Sequence, residues 1–286
     1  MMTPAKVLLC TDMDRTIIPN GFQPEPADAR KRFSNFCERE DVKLAYVTGR
    51  HVSLVKRAIK NYALPVPDFA ITDVGTKIYQ IGKGSWQQMA DWEAEIDKDW
   101  NGKTHAQLKQ ILRPIKELRL QESTKQNTHK LSYYLPLYMD KDTIIARIEA
   151  FLKDANVAAS ILWSVDEPKN IGLLDVLPEH ATKLHAIEFL QQKLGYKLDE
   201  VIFAGDSGND LPVLTSHIPS VLVDNASAEI KQAALELSKH NGNAEALFLA
   251  SSSHSDNNGN YSAGVLQGVA HFAPDFFTPT NKETSS

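Results

Sequence analysis

Cysteine is nearly absent from this 286-residue chain: Cys10 and Cys37 are the two it has. One lies in an apolar run and the other on a helical pattern, which makes neither a disulfide framework nor a cysteine metal cluster, and both read as buried thiols. Long apolar runs are also missing, and none approaches the roughly 20 residues that cross a bilayer, so a membrane span is excluded from the expectation. Nor is there a cationic excess. Thirty-one Lys and Arg stand against 36 Asp and Glu, a net charge of −5, and the basic residues are scattered, which leaves no footprint for nucleic acid. No internal repeat is seen. Met1 to Lys6 leads straight into Val7-Leu8-Leu9-Cys10, too short a run for a signal peptide, so the start reads as mature sequence and a cytoplasmic location is the default expectation.

What is present is ordinary for a globular protein, 42% hydrophobic and 23% charged, and the length predicts two domains. Short continuous apolar runs recur: Lys6–Thr11, Val42–Thr48, Phe69–Thr72, Val201–Gly205 and Ser220–Val223. Each ends at or beside Thr, Gly or Asp, as strands buried on both faces of a parallel sheet do. Helical patterns at 27–39, 51–62, 179–194, 211–216 and 226–238 alternate with them. The alternation predicts a doubly wound α/β sheet, whose ligands bind beyond the carboxyl ends of the strands. Residues 82–168 lack it. A helix from His105, a strand at 130–135, a helix at 142–152 and a strand at 159–163 predict an α+β insertion, so the expected division is a core of 1–81 with 169–286 and a cap of 82–168. Residues 251–260 read as a polar loop and 279–286 as a polar tail.

Chemistry concentrates where strands end. Asp12-Met13-Asp14-Arg15-Thr16 follows the first run directly, and residues two apart leaving a strand point to the same side. Two carboxylates that converge repel unless a cation or a proton lies between them, and magnesium suits such oxygen ligands; a surface turn with Asp is the plainer alternative. Gly205-Asp206-Ser207-Gly208-Asn209-Asp210 sets two more carboxylates four apart after another buried run. It could complete a magnesium site or simply cap the next helix. Thr48-Gly49-Arg50 ends the second run and opens a helix, where hydroxyl and N–H groups can hold phosphate oxygens or serve as an ordinary cap. Lys183 lies on a helical pattern, either reaching inward to balance carboxylates and phosphate or solvated at the surface.

In this order the four pieces resemble the signature of the haloacid dehalogenase (HAD) phosphatases: DxDxT, a Thr after the second strand, a Lys, and GDxxxD. The insertion between Thr48 and Lys183 is similar to that superfamily's C2-type cap of subclass IIB. Leu44–Arg50, Asp73–Tyr79, Lys130–Tyr133, Leu174–Pro178, Gly205–Asp210 and Asn260–Phe272 further resemble the sucrose-phosphate phosphatases. Two positions depart from that group: Lys77 stands where it usually has Glu, and His129 where the cap strand usually begins with an aromatic.

The resemblance implies a HAD Rossmann-like core and a magnesium-dependent phosphoric monoester hydrolase. Asp12 is then the nucleophile and Asp14 the general acid and base. Thr48 and Lys183 neutralise the phosphoryl group, and Thr48, Gly49, Arg50, Lys130 and Asn209 contact the substrate. Asp12, Asp14 through its backbone carbonyl, Asp206 and Asp210 serve magnesium. Tyr133 is either a sugar contact or, in the favoured reading, packing. The expected partner is a small phosphorylated sugar, sucrose 6-phosphate first, with no nucleic acid and no membrane; a sugar-phosphate synthase is a candidate protein partner. Glucosylglycerate, mannosylglycerate, mannosylfructose and simple hexose phosphates stay open as substrates, as do a phosphomannomutase-type reaction and a non-catalytic sugar-binding module.

Overall fold

The computed structural model describes residues 6–254 and 258–277. Residues 255–257 of the polar stretch and the tail at 279–286 lie outside them. The elements are, in order, β1 (Val7–Thr11), α1 (Ala29–Cys37), β2 (Val42–Val47), α2 (Val52–Tyr62), β3 (Phe69–Thr72), β4 (Lys77–Gly82), β5 (Ser85–Gln88), α3 (Ala90–Asp97), α4 (His105–Ile111), β6 (Arg119–Leu120) and β7 (Leu131–Leu135). There follow α5 (Lys141–Asp154), β8 (Ala159–Asp166), β9 (Ile171–Pro178), α6 (Lys183–Leu194), β10 (Val201–Gly205), α7 (Leu211–Leu214), β11 (Ser220–Leu222), α8 (Ala228–His240), β12 (Leu247–Leu249) and α9 (Tyr261–Phe272). No described helix is long and apolar enough to cross a membrane.

Eight strands form the main sheet in the order β12-β11-β10-β1-β2-β3-β4-β5, parallel from β12 to β3 and antiparallel beyond. All five residues of β1 are buried because successive side chains enter opposite layers. Val7 and Leu9 pack with Phe33 of α1, Val55 of α2 and Val265 of α9, while Leu8 and Cys10 pack with Trp92 of α3, Ile187 of α6 and Ala234 of α8. A continuous apolar run is what a strand covered on both faces requires. The parallel strands, numbered by appearance, lie in the order 3-2-1-4-5-6, so the winding reverses between β1 and β10, and a crevice opens there at the carboxyl ends.

The second sheet, β6-β7-β9-β8, is antiparallel. Leu131, Tyr133 and Leu135 of β7 and Leu174 and Val176 of β9 pack from one face on Leu108 of α4 and Ile144, Ile148 and Leu152 of α5. The strand pairing departs from the limits expected for the cap, 82 and 168. Ser85–Gln88 pairs with β4 in the main sheet, whereas Ile171–Pro178 pairs with β7 and β8 in the small one. Cross-strand pairing decides such membership, and neither segment carries a local mark of it. Part of the expected polar loop is tied down, since Asn258 and Asn260 donate to the Pro24 carbonyl at 2.9 and 3.0 Å.

Candidate active site

Asp12 and Asp206 are the residues that follow β1 and β10, the two strands flanking the switch in winding. Their backbones are locked in register, Asp12 N–H donating to the Ala204 carbonyl at 2.8 Å. Asp210 reaches back beneath the β10 end. Its Oδ2 accepts from Asp206 N–H (3.1 Å), Ser207 N–H (3.0 Å) and the Ser207 hydroxyl (2.9 Å). Gly205 makes this approach feasible, because a Cβ there would lie 2.6 Å from the Asp210 carboxyl carbon.

Lys183 enters from the first turn of α6. That turn is seated by Gly75, which has φ +96° and whose Cβ, if present, would lie 2.8 Å from the Thr182 carbonyl carbon. The Trp92 indole N–H donates to the Gly75 carbonyl at 3.0 Å and braces the same turn. From there the ammonium bonds Asp12 Oδ1 at 2.8 Å and Asp210 Oδ1 at 2.7 Å, with Lys183 side chain 7% exposed.

Asp12, Asp206 and Asp210 can each bring one carboxylate oxygen within 4.8 Å of the others. Burial, with Asp210 and Asp206 adding repulsion against the Lys183 attraction, pushes the Asp12 carboxyl up to about 7. Burial and Asp210 push Asp206 up to about 6. Burial also disfavours the Lys183 charge, yet the Asp12 and Asp210 carboxylates hold its pKa above the ordinary lysine value. Both acids are raised while the lysine stays protonated, so the cluster is short of positive charge. An all-oxygen donor set lacking charge fits a hard divalent cation such as magnesium.

The Asp14 carboxylate, not expected among the metal ligands, is held by other groups. Arg50 clamps that carboxylate, Nε to Oδ2 at 2.6 Å and Nη2 to Oδ1 at 2.5 Å, and Asn20 donates to Oδ1 at 2.8 Å. Burial alone raises its pKa, but the Arg50 and Asn20 bonds outweigh that and leave it below the usual carboxylate range. Thr48, Gly49, Arg50 and Asn209 line one cavity of about 400 Å³ together with Asp12, Asp14, Lys183 and Asp206. A larger cavity of about 650 Å³ lies between α1 and α9, but no carboxylate lines it, so it has no means of holding a divalent cation.

Lys130 is not brought into that cavity; its ammonium pairs with Asp175 Oδ2 at 3.2 Å on the small sheet. The two departing positions are likewise turned to structure. Lys77 is buried and pairs with Glu93, and His129 is buried with Nε2 3.0 Å from Asp97 Oδ1. Tyr133 packs among Leu108, Leu112 and Leu174. Sequence reasoning gave no role to Arg15, whose Nε lies 3.3 Å from Asp206 Oδ2, or to Asn20. Arg15 sits within the DxDxT pentad and was findable there; nothing local marks Asn20.

A family model described as sucrose-6F-phosphate phosphohydrolase matches residues 5–273. A putative HAD-like hydrolase of Nitrosococcus oceani is 48% identical over 94% of this chain and 72% of its own length. A probable sucrose-phosphatase 3a of Arabidopsis thaliana is 30% identical over 83% of this chain and 55% of its own, so the chain spans about half of that relative. A mannosylfructose-phosphate phosphatase of Agrobacterium fabrum is 28% identical over 93% of this chain and 96% of its own. Among solved structures, the sucrose-phosphatase from Synechocystis sp. PCC6803, in complex with sucrose and phosphate, superposes with TM-score 0.70 at 24% identity, covering 94% of this chain and 98% of that one.

Proposed function

The chain belongs to the sucrose-6F-phosphate phosphohydrolase family of HAD-type phosphoric monoester hydrolases, and on that premise we propose that it releases phosphate from a small phosphorylated sugar, sucrose 6-phosphate before others. The observation that carries the reading is the triple contact at the strand switch. A buried ammonium bridges Asp12 and Asp210 while Asp206 stands beside them, and Asp12, Lys183 and Asp206 line the cavity that Thr48, Gly49 and Arg50 also line.

In this reading the Asp12 carboxylate attacks phosphorus and the bond to the sugar oxygen breaks, leaving an aspartyl phosphate and splitting one hard displacement into two easier ones. Asp14, ionised while Arg50 clamps it, takes up a proton from solvent once that clamp opens and gives it to the leaving oxygen, then takes one from the water that attacks the aspartyl phosphate, freeing Asp12 and inorganic phosphate. Arg50 must let go of Asp14 for that exchange, and phosphate entering the cavity is the anion that can compete for the guanidinium. Thr48 Oγ1 accepts from Arg50 N–H at 3.2 Å, which leaves its own proton free to be donated to a phosphoryl oxygen. Lys183 balances charge on the nucleophile and the phosphoryl group alike. Asp12 and Asp206 would hold magnesium, with Asp210 orienting that shell through Lys183 and the Ser207 bonds; the bound ion supplies electrostatic stabilisation of phosphoryl charge.

The second reading, hydrolysis of mannosylfructose phosphate, is favoured by the Agrobacterium relative that matches this chain along nearly its whole length. Phosphate release from a panel containing both disaccharide phosphates and simple hexose phosphates, with magnesium and with EDTA, tests the reading. Magnesium-dependent release favouring sucrose 6-phosphate supports it. Preference for another sugar keeps the chemistry and replaces the substrate, whereas no release from any of them overturns the assignment.

A further inference from the structure

Arg15, the fourth residue of the DxDxT pentad, lines the carboxylate cavity and puts its Nε 3.3 Å from Asp206 Oδ2. Its backbone is left-handed, φ 58°, a conformation that is unfavourable for a residue with a Cβ and persists where its surroundings impose it. Here they do. The Arg15 N–H donates to Asn20 Oδ1 at 2.9 Å and to the Ile18 carbonyl at 3.1 Å, and the Arg15 carbonyl accepts from Asn225 Nδ2 at 2.6 Å. Asn225, just past β11, also anchors the guanidinium, whose Nη2 donates to its carbonyl at 3.2 Å.

The contact with Asp206 is of a different kind. Nε is buried yet makes no hydrogen bond, so the pair is held by charge without the alignment a hydrogen bond needs. The other oxygen of that carboxylate accepts from the Thr16 hydroxyl at a long 3.4 Å. Asp206 is thus partly neutralised and weakly hydrogen-bonded, and it can turn to a harder cation while Arg15 keeps its bond to Asn225. A guanidinium so placed supplies part of the positive charge that Asp12, Asp206 and Asp210 need, and a divalent ion drawn to Asp206 meets a like charge already beside it.

We propose that Arg15 is a built-in competitor of the divalent cation for Asp206: it stabilises the cation-free cluster and thereby weakens the affinity of the site for magnesium. The ion and the guanidinium draw on one carboxylate, so removing either strengthens the hold of the other. The Arg15 side chain is 42% exposed, which makes the attraction that of a screened ion pair and sets the effect at about two- to fivefold in magnesium affinity.

The inference rests on the magnesium reading of the carboxylate cluster. Calorimetric titration of the full chain with magnesium chloride, joined to thermal melts in EDTA and in excess magnesium, tests the two separately. Arg15→Gln removes the charge without changing the backbone requirement. It should tighten magnesium binding about two- to fivefold, melt below wild type in EDTA, and gain more from magnesium than wild type does. Arg15→Asn, whose side chain suits the left-handed backbone, should tighten binding in the same way. Lys83→Gln removes an equal charge from the turn between β4 and β5, at the opposite end of the sheet from the carboxyl ends, and should leave the affinity unchanged. A merely structural Arg15 would lower the melts equally with and without magnesium and leave the affinity as it was. That result, weaker binding in either variant, or an equal change in Lys83→Gln overturns the proposal and leaves the magnesium site standing, whereas a wild-type chain that takes up no magnesium overturns both.

Discussion

Asp12→Asn is expected to make the cation-free protein more stable while abolishing its turnover. Asp12 is 6% exposed and its carboxyl is raised from an ordinary 3.8 to about 7, first by burial and then by Asp210 and Asp206. The folded chain therefore binds this proton more tightly than the unfolded chain does. As pH rises from about 4 to about 7 the unfolded state loses the proton first, and folding stability falls throughout that window. At about 1.4 kcal/mol per tenfold change, the ionised carboxylate costs roughly 4 kcal/mol at pH 8. Asparagine keeps the shape without the charge, and Lys183 retains Asp210 at 2.7 Å, so a gain of about 2 to 4 kcal/mol is expected. For a chain of this size that is a rise of about 3 to 7 °C in melting temperature. Thermal melts in EDTA at pH 8 and pH 5 measure it: the gain should be full at pH 8 and fall to less than half at pH 5, where the folded carboxyl is protonated but the unfolded one is already ionised. A variant that melts at or below wild type at pH 8 would refute the argument that the cluster lacks positive charge.

The same charge deficit predicts that magnesium raises the wild-type melting temperature more at pH 8 than at pH 5.5, because protons and cation relieve the same repulsion; equal shifts at both pH values would count against binding by Asp12 and Asp206. Lys183→Ala should lower kcat at least a hundredfold, as one preorganised contact to transition-state charge is worth about 2.7 to 4 kcal/mol, and steady-state assays with saturating substrate read it. Gly205→Ala places a methyl 2.6 Å from the Asp210 carboxyl carbon. It should cost about 1 to 3 kcal/mol in urea unfolding and depress turnover, since the crowded group is the one that positions Lys183. Arg50→Gln should raise KM more than it lowers kcat if Arg50 meets phosphate in the bound state, and steady-state kinetics separate the two.

The central strands were legible because a strand covered on both faces has to be apolar throughout, and Leu8-Leu9-Cys10, Leu44–Val47 and Val201–Ala204 are. The polar residues that end them, Asp12, Thr48 and Asp206, were legible for the same reason: each is the first residue past a buried run, where the crevice of a doubly wound sheet opens. Weaker elements were not. Ser85–Gln88 and Ile171–Pro178 are strands by virtue of their neighbours, and only pairing told that one joins the main sheet and the other the small one.

The sequence by itself thus determined the alternation of elements, the acidic strand ends and the set of residues able to serve a phosphoryl group. Tertiary structure alone decided their company. A helix lysine 171 positions from Asp12 could have been solvated, and it became a buried bridge because Gly75 and Trp92 seat the first turn of α6 against the core. Lys77 and Lys130, equally basic on paper, were turned to Glu93 and Asp175 instead. Periodicity records which face of an element is apolar, whereas the partner of a charged side chain depends on groups brought near from distant parts of the chain, and no local pattern carries that information.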